Sequence, residues 1–122
     1  MMDPSHKARV LDMGVISTLK ELGGDDEPDL FVELVDLFLE DARGNFEALR
    51  AALDGCDAQG VERAAHTLKS SCGNVGAAGL SAACFKLEQL GRAGRLEGAA
   101  QILEGALREF EEVCTALNSE KA

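Results

Sequence analysis

Between Phe31 and Leu53 one apolar stripe runs through Phe31, Leu34, Val35, Phe38, Ala42, Phe46, Leu49 and Leu53. These are steps of three and four, the period of a helix with one buried face, sustained over about six turns. The run Asp25-Asp26-Glu27-Pro28 reads as its start, because acids and a first-turn proline both suit a helix N-terminus. The stretch 54–60 closes it. A second stripe begins near Val61 and carries Ala64, Ala65, Leu68, Cys72 and Val75, until Gly76-Ala77-Ala78-Gly79 breaks it. A third holds Leu80, Ala83, Cys84, Leu87, Leu90 and Gly91 and stops in Gly91-Arg92-Ala93-Gly94. The last runs from Ala99 through Leu103, Ala106, Phe110 and Val113 to Leu117. Ahead of them all, Val15, Ile16, Leu19 and Leu22 mark a short helix, with Asp12 as its cap and Gly23-Gly24 as its end. Short glycine-containing turns join antiparallel neighbours. The pattern therefore predicts an all-α chain: an antiparallel up-down four-helix bundle with a short additional N-terminal helix. Residues 1–9 are expected to be a polar tail, 10–118 the bundle and 119–122 a second tail.

Composition sharpens this picture. A chain of 122 residues is one domain by size. Five Phe and no Trp or Tyr leave a core of Leu, Val, Ile and Ala, which suits packed helices better than a sheet. Both prolines, Pro4 and Pro28, precede residue 30, so nothing of that kind interrupts the later stripes. The formal net charge of −10 argues against nucleic acid and against an anionic membrane surface. Charge is uneven, however. From Gly60 to Arg95, Arg63, Lys69, Lys86, Arg92 and Arg95 outnumber Glu62 and Glu88, which suggests a specific anionic partner. Cys56, Cys72, Cys84 and Cys114 form no metal or redox motif, and the last three lie on or beside apolar stripes, as in a reducing cell. With no leader-like or long apolar run, a cytoplasmic location is expected.

Candidate chemistry lies off the apolar stripe of the helix that begins near Val61. His66, Lys69, Ser70 and Gly73 stand at i, i+3, i+4 and i+7 and form one line, about 130° around from the core direction. That line faces water. A neutral imidazole, with a free-residue pKa of about 6.5, is a nucleophile near neutral pH and can take a phosphoryl group from an acyl phosphate onto a ring nitrogen. Lys69 can compensate the charge that arrives. Ser70 and Gly73 are small enough for a partner surface to approach. No second carboxylate or base is recognisably paired with His66 for hydrolysis, and no glycine-rich phosphate loop follows a strand. The chain thus offers a nucleophile without an engine.

The segment from Ala65 to Ala77, AHTLKSSCGNVGA, resembles the signature of histidine-containing phosphotransfer (HPt) domains. Leu80, Cys84, Leu87-Glu88 and the Gly91-Arg92-Ala93-Gly94 turn fit the same family, and the resemblance spans most of the chain. It implies that His66 is phosphorylated, that Lys69 is the neighbouring cation and that Gly73 is the small site where a receiver docks. Ser70 stands where the family often has glycine; it is still small and able to bond a phosphoryl oxygen. The resemblance further implies a carrier with no kinase activity and no bound cofactor. Its partners would be response-regulator receiver domains or a hybrid histidine kinase, and the Mg²⁺ would sit in the receiver. Arg63, Lys86 and Arg92 are candidates for the docking rim, against the plain alternative of solvated charges.

Two other readings stay open on the residues alone. The bundle could bind a receiver without turning over phosphate, as a sequestering adaptor. A metal bundle is the other, since Glu62 and His66 are i, i+4, although inward Glu-x-x-His pairs are missing and His6 lies in the tail. A monomer is expected, with Cys56 and the long helix as the features that could support a dimer. The two initial methionines favour a free-standing protein over a piece of a hybrid kinase.

Overall fold

The computed structural model describes residues 10–121. Its helices are α1 (Met13–Glu21), α2 (Leu30–Asp54), α3 (Ala58–Asn74), α4 (Ala78–Ala93) and α5 (Ala99–Glu120). Among the described residues there is no strand. The expected tail 1–9, with His6, lies outside the described residues.

Helices α2 to α5 run up and down as a four-helix bundle, with α3 and α4 the most closely packed pair and α1 laid against α2. The predicted stripes supply the core: Val35, Phe46 and Leu49 from α2, Val61, Ala65 and Leu68 from α3, Leu80, Cys84 and Leu87 from α4, Leu103, Val113 and Leu117 from α5. Phe110 joins this interior by packing between Phe38 and Phe46, with ring centroids 6.4 and 5.0 Å away. Cys72, Cys84 and Cys114 are buried free thiols, and Cys56 is exposed. Asp12 caps α1, its carboxylate accepting the backbone N–H groups of Gly14 and Val15. Its own N–H donates to the carbonyl of Gly76 at 2.7 Å. That ties the entry of the chain to the α3–α4 corner, where Gly76 adopts φ +79.

Several element ends differ from the sequence expectation. Helix α2 begins at Leu30, not within Asp25–Pro28. Proline disfavours helical geometry in the residue before it, so Glu27 cannot lead directly into the helix and the segment forms separate turns. Helix α3 begins three residues before Val61, because the Asp57 side chain accepts the Gly60 N–H at 3.0 Å and caps the helix there. Leu22, placed on the first apolar stripe, is exposed and forms the C-terminal cap of α1, which ends at Glu21. Helix α5 continues through Ser119 and Glu120, beyond the expected bundle end at 118. There Glu120 pairs with Lys20, and Lys121 pairs with Asp36, both across to neighbouring helices.

Candidate functional site

His66 sits midway along α3 on the face away from the core, as its phase requires, with its side chain 59% exposed. The residues flanking its stripe inward, Ala65 and Leu68, are fully buried and fix the rotation of the helix. Helix α4 runs beside it, held by the Ser81 hydroxyl, which donates to the Lys69 carbonyl at 2.8 Å.

The fold supplies His66 with a carboxylate partner that the sequence alone does not reveal. Glu88, on α4, is 2% exposed and brings Oε2 within 2.8 Å of His66 Nδ1. Lys69 Nζ lies 2.8 Å from Oε1, an ion pair without the alignment of a hydrogen bond. Arg92 donates to Oε2 at 3.1 Å, and its Nε donates to Glu62 at 2.9 Å. One buried carboxylate therefore gathers three cationic or N–H groups, which is how a buried charge is made tolerable. The Lys69 ammonium, with help from the His66 ring, outweighs burial and holds the Glu88 carboxyl below its ordinary value of 4.5. Its lowered value means that whatever Glu88 contributes to stability is present above about 4.5 and is lost only as the pH falls below that. Across the neutral range Glu88 is an acceptor only, so His66 Nδ1 must be the donor, and this bond assigns the tautomer.

Consequently the free lone pair of the ring belongs to Nε2, on the exposed side. No partner for Nε2 stands among the described residues. The site can therefore present an oriented imidazole nucleophile whose opposite nitrogen is backed by a fixed negative charge. This is the arrangement that stabilises an imidazolium when charge develops on the ring.

Other expected residues are placed as follows. Lys69 is not a free point charge: besides Glu88, its ammonium lies over the Phe85 ring, 5.1 Å from the centroid. Ser70 and Gly73 are exposed on the His66 line. A Cβ at Gly73 would meet only the Ser81 hydroxyl, at 3.7 Å, so the fold itself does not demand glycine there. Arg63 is exposed, one turn before His66, and lines a groove of about 640 Å³ between α2 and α3. Lys86 is exposed on α4. Arg92 is exposed yet fastened to Glu62 and Glu88, so part of the positive charge counted along the sequence is neutralised within the site. Among the described residues no group of three or more His, Cys, Asp and Glu side chains could hold a metal ion. No helix among them is long and apolar enough to cross a membrane.

Glu88 is the residue that sequence reading missed as a member of the site. The signal was its phase: four residues after Cys84 and next to Leu87, it places a carboxylate on the buried side of α4. A charge in that position needs a partner, and the facing helix carries the cation and the imidazole.

Comparison with known proteins adds three findings. The sequence matches the family model described as Hpt domain over residues 33–120. The fold is similar to that of histidine-containing phosphotransfer protein B from Pseudomonas aeruginosa PAO1. That match has a TM-score of 0.86 and 34% identity, covering 93% of this chain and 96% of that one. It is also similar to the histidine-containing phosphotransfer protein MtHPt2 from Medicago truncatula, with a TM-score of 0.81, 25% identity and coverage of 95% and 83%. No curated protein matches the sequence.

Proposed function

Because this chain belongs to the Hpt domain family, the histidine phosphotransfer proteins of phosphorelays, we propose that His66 is its phosphoryl-carrying residue and Nε2 the atom that bonds phosphorus. The observation that carries this reading is the 2.8 Å contact between His66 Nδ1 and the buried Glu88 carboxylate, which leaves Nε2 as the outward lone pair. When a receiver presents its aspartyl phosphate, Nε2 attacks phosphorus, the N–P bond forms and the P–O bond to the aspartate breaks. The aspartate carboxylate leaves with the bonding pair. Nδ1 keeps its proton throughout, and Glu88 balances the positive charge that the ring acquires. Reverse transfer to a second receiver retraces the same path.

Lys69, one helical turn from His66, is the cation assigned to the incoming phosphoryl oxygens in this scheme, and exposed Ser70 is a candidate hydroxyl for them. Exposed Gly73, beyond His66 on α3, and exposed Arg63, Lys86 and Arg92 belong to the docking surface in this reading, where positive charge favours an acidic receiver face. In this reading the chain is a carrier without kinase activity of its own. The Mg²⁺ belongs to the receiver, and the carrier works as a cytoplasmic monomer.

The test is to mix the protein with a receiver bearing labelled aspartyl phosphate and to follow the label. Transfer to this chain as an acid-labile, base-stable adduct supports the reading. Binding of several receivers without any transfer would point to a sequestering adaptor instead. Within the same assay, Glu88→Leu is expected to slow single-turnover transfer by about 10- to 100-fold, because nothing then holds the tautomer. Glu88→Gln keeps an acceptor for Nδ1 and is expected to stay within about tenfold of wild type. The leucine variant should remain folded, since the partners it leaves behind, His66, Lys69 and Arg92, all reach solvent and none becomes an unpaired buried charge. A Glu88→Leu rate within twofold of wild type would refute the role given to Glu88.

A further inference from the structure

Phe85 takes no part in the scheme above, yet it is one of few large apolar side chains left in the open among the described residues, 41% exposed. It stands on α4 three residues before Glu88, on the adjoining part of the same helical face. Its ring carries the Lys69 ammonium 5.1 Å from the centroid, while that ammonium also lies 2.8 Å from Glu88 Oε1. Lys69 thus stands between a buried carboxylate and an exposed aromatic face.

From this placement, and resting on the phosphocarrier reading, we propose that Phe85 positions Lys69 for phosphoryl transfer and is itself covered by the docked receiver. To approach a phosphoryl group on His66 the ammonium must give up Oε1, the contact that fixes it most sharply. Glu88 tolerates the departure because Arg92 and His66 Nδ1 remain on Oε2. A lysine released in this way would ordinarily scatter over its rotamers. The ring prevents that. Attraction of a cation to an aromatic quadrupole is broad across the face, so the ammonium can shift toward the phosphoryl oxygens without losing its second foothold. The backbone beneath is pinned by the Ser81–Lys69 hydrogen bond, which confines the movement to the side chain. Docking adds a further gain, since cation–π attraction strengthens when water is excluded. An exposed aromatic beside a charged network is also the type of residue that dominates protein interfaces.

The experiment is single-turnover transfer from a phosphorylated receiver, across receiver concentrations, for wild type and Phe85→Leu, Phe85→Tyr and Phe85→Ala. Phe85→Leu keeps apolar bulk but removes the ring face. It is expected to lower the saturating rate by about 3- to 10-fold with little change in the half-saturating concentration. Phe85→Tyr restores the rate. Phe85→Ala loses contact area as well, and is expected to raise the half-saturating concentration by about fivefold or more. Phe85→Leu at the wild-type rate, or Phe85→Tyr as impaired as Phe85→Leu, would overturn the positioning role. An unchanged half-saturating concentration for Phe85→Ala would overturn the docking role. Absence of label on wild type would instead defeat the phosphocarrier reading, and this proposal with it.

Discussion

His66→Gln is expected to bring phosphoryl acceptance from a receiver to background, a loss of at least about a thousandfold. Glutamine is close to histidine in reach, and its amide N–H can still donate to Glu88. Its amide nitrogen, however, has no free lone pair, so the nucleophile is gone while the local hydrogen bonding survives. The side chain is mostly solvated, and stability should change by no more than about 1 kcal/mol in a urea titration. Separating activity from stability in this way matters, because a variant that lost label by unfolding would say nothing about chemistry. Undiminished labelling of His66→Gln would remove His66 from its proposed role.

The second large effect is structural and concerns Gly91, buried where the end of α4 crosses the start of α3. A Cβ built there would lie 2.6 Å from the Glu62 backbone nitrogen and 2.8 Å from the Ala58 carbonyl oxygen. Both are helix backbone atoms, which cannot swing aside as the tip of a side chain can. Gly91→Ala gains about 1 kcal/mol of helix propensity and still should be destabilising, by about 2 kcal/mol or more, because the two helices must part. Gly91→Val is expected to cost more than about 4 kcal/mol, a large share of a typical domain's stability. Gly44 provides the contrast. It lies on the exposed face of α2 with nothing within 4 Å of a built Cβ, so Gly44→Ala should stabilise by about 0.4–1 kcal/mol. Denaturant midpoints at constant m-value check both signs. A Gly91→Ala protein as stable as wild type would show that α3 and α4 do not approach as described.

Apolar spacing made the helices and their buried faces legible in the sequence. A period near 3.6 residues held over several turns is what one buried helical face produces, and a strand, with its period of two, does not. Leu68 and Ala65 inside and His66 outside followed from phase alone. Helix starts were harder. Acidic residues stand in both the 25–28 and the 54–57 regions, and only the fold shows that Asp57 caps a helix while Pro28 delays one. The charge balance around the site was misleading for a related reason. Summing charges along a segment treats Arg92, Glu62, Lys69 and Glu88 as independent, whereas packing of α3 against α4 pairs them. Most instructive is Glu88, whose phase was visible but whose partners lie 19 and 22 residues earlier in the chain, on another helix. Only the packing of the two helices brings them into contact.

The central claim is that His66 carries phosphorus on the nitrogen that Glu88 leaves free. Histidine-selective ¹⁵N labelling makes this directly observable, since the chain holds two histidines, His6 and His66. After phosphorylation by a receiver, phosphorus–nitrogen coupling should appear at His66 Nε2, with the proton retained on Nδ1. Coupling at Nδ1, or at neither nitrogen of His66, would contradict the account.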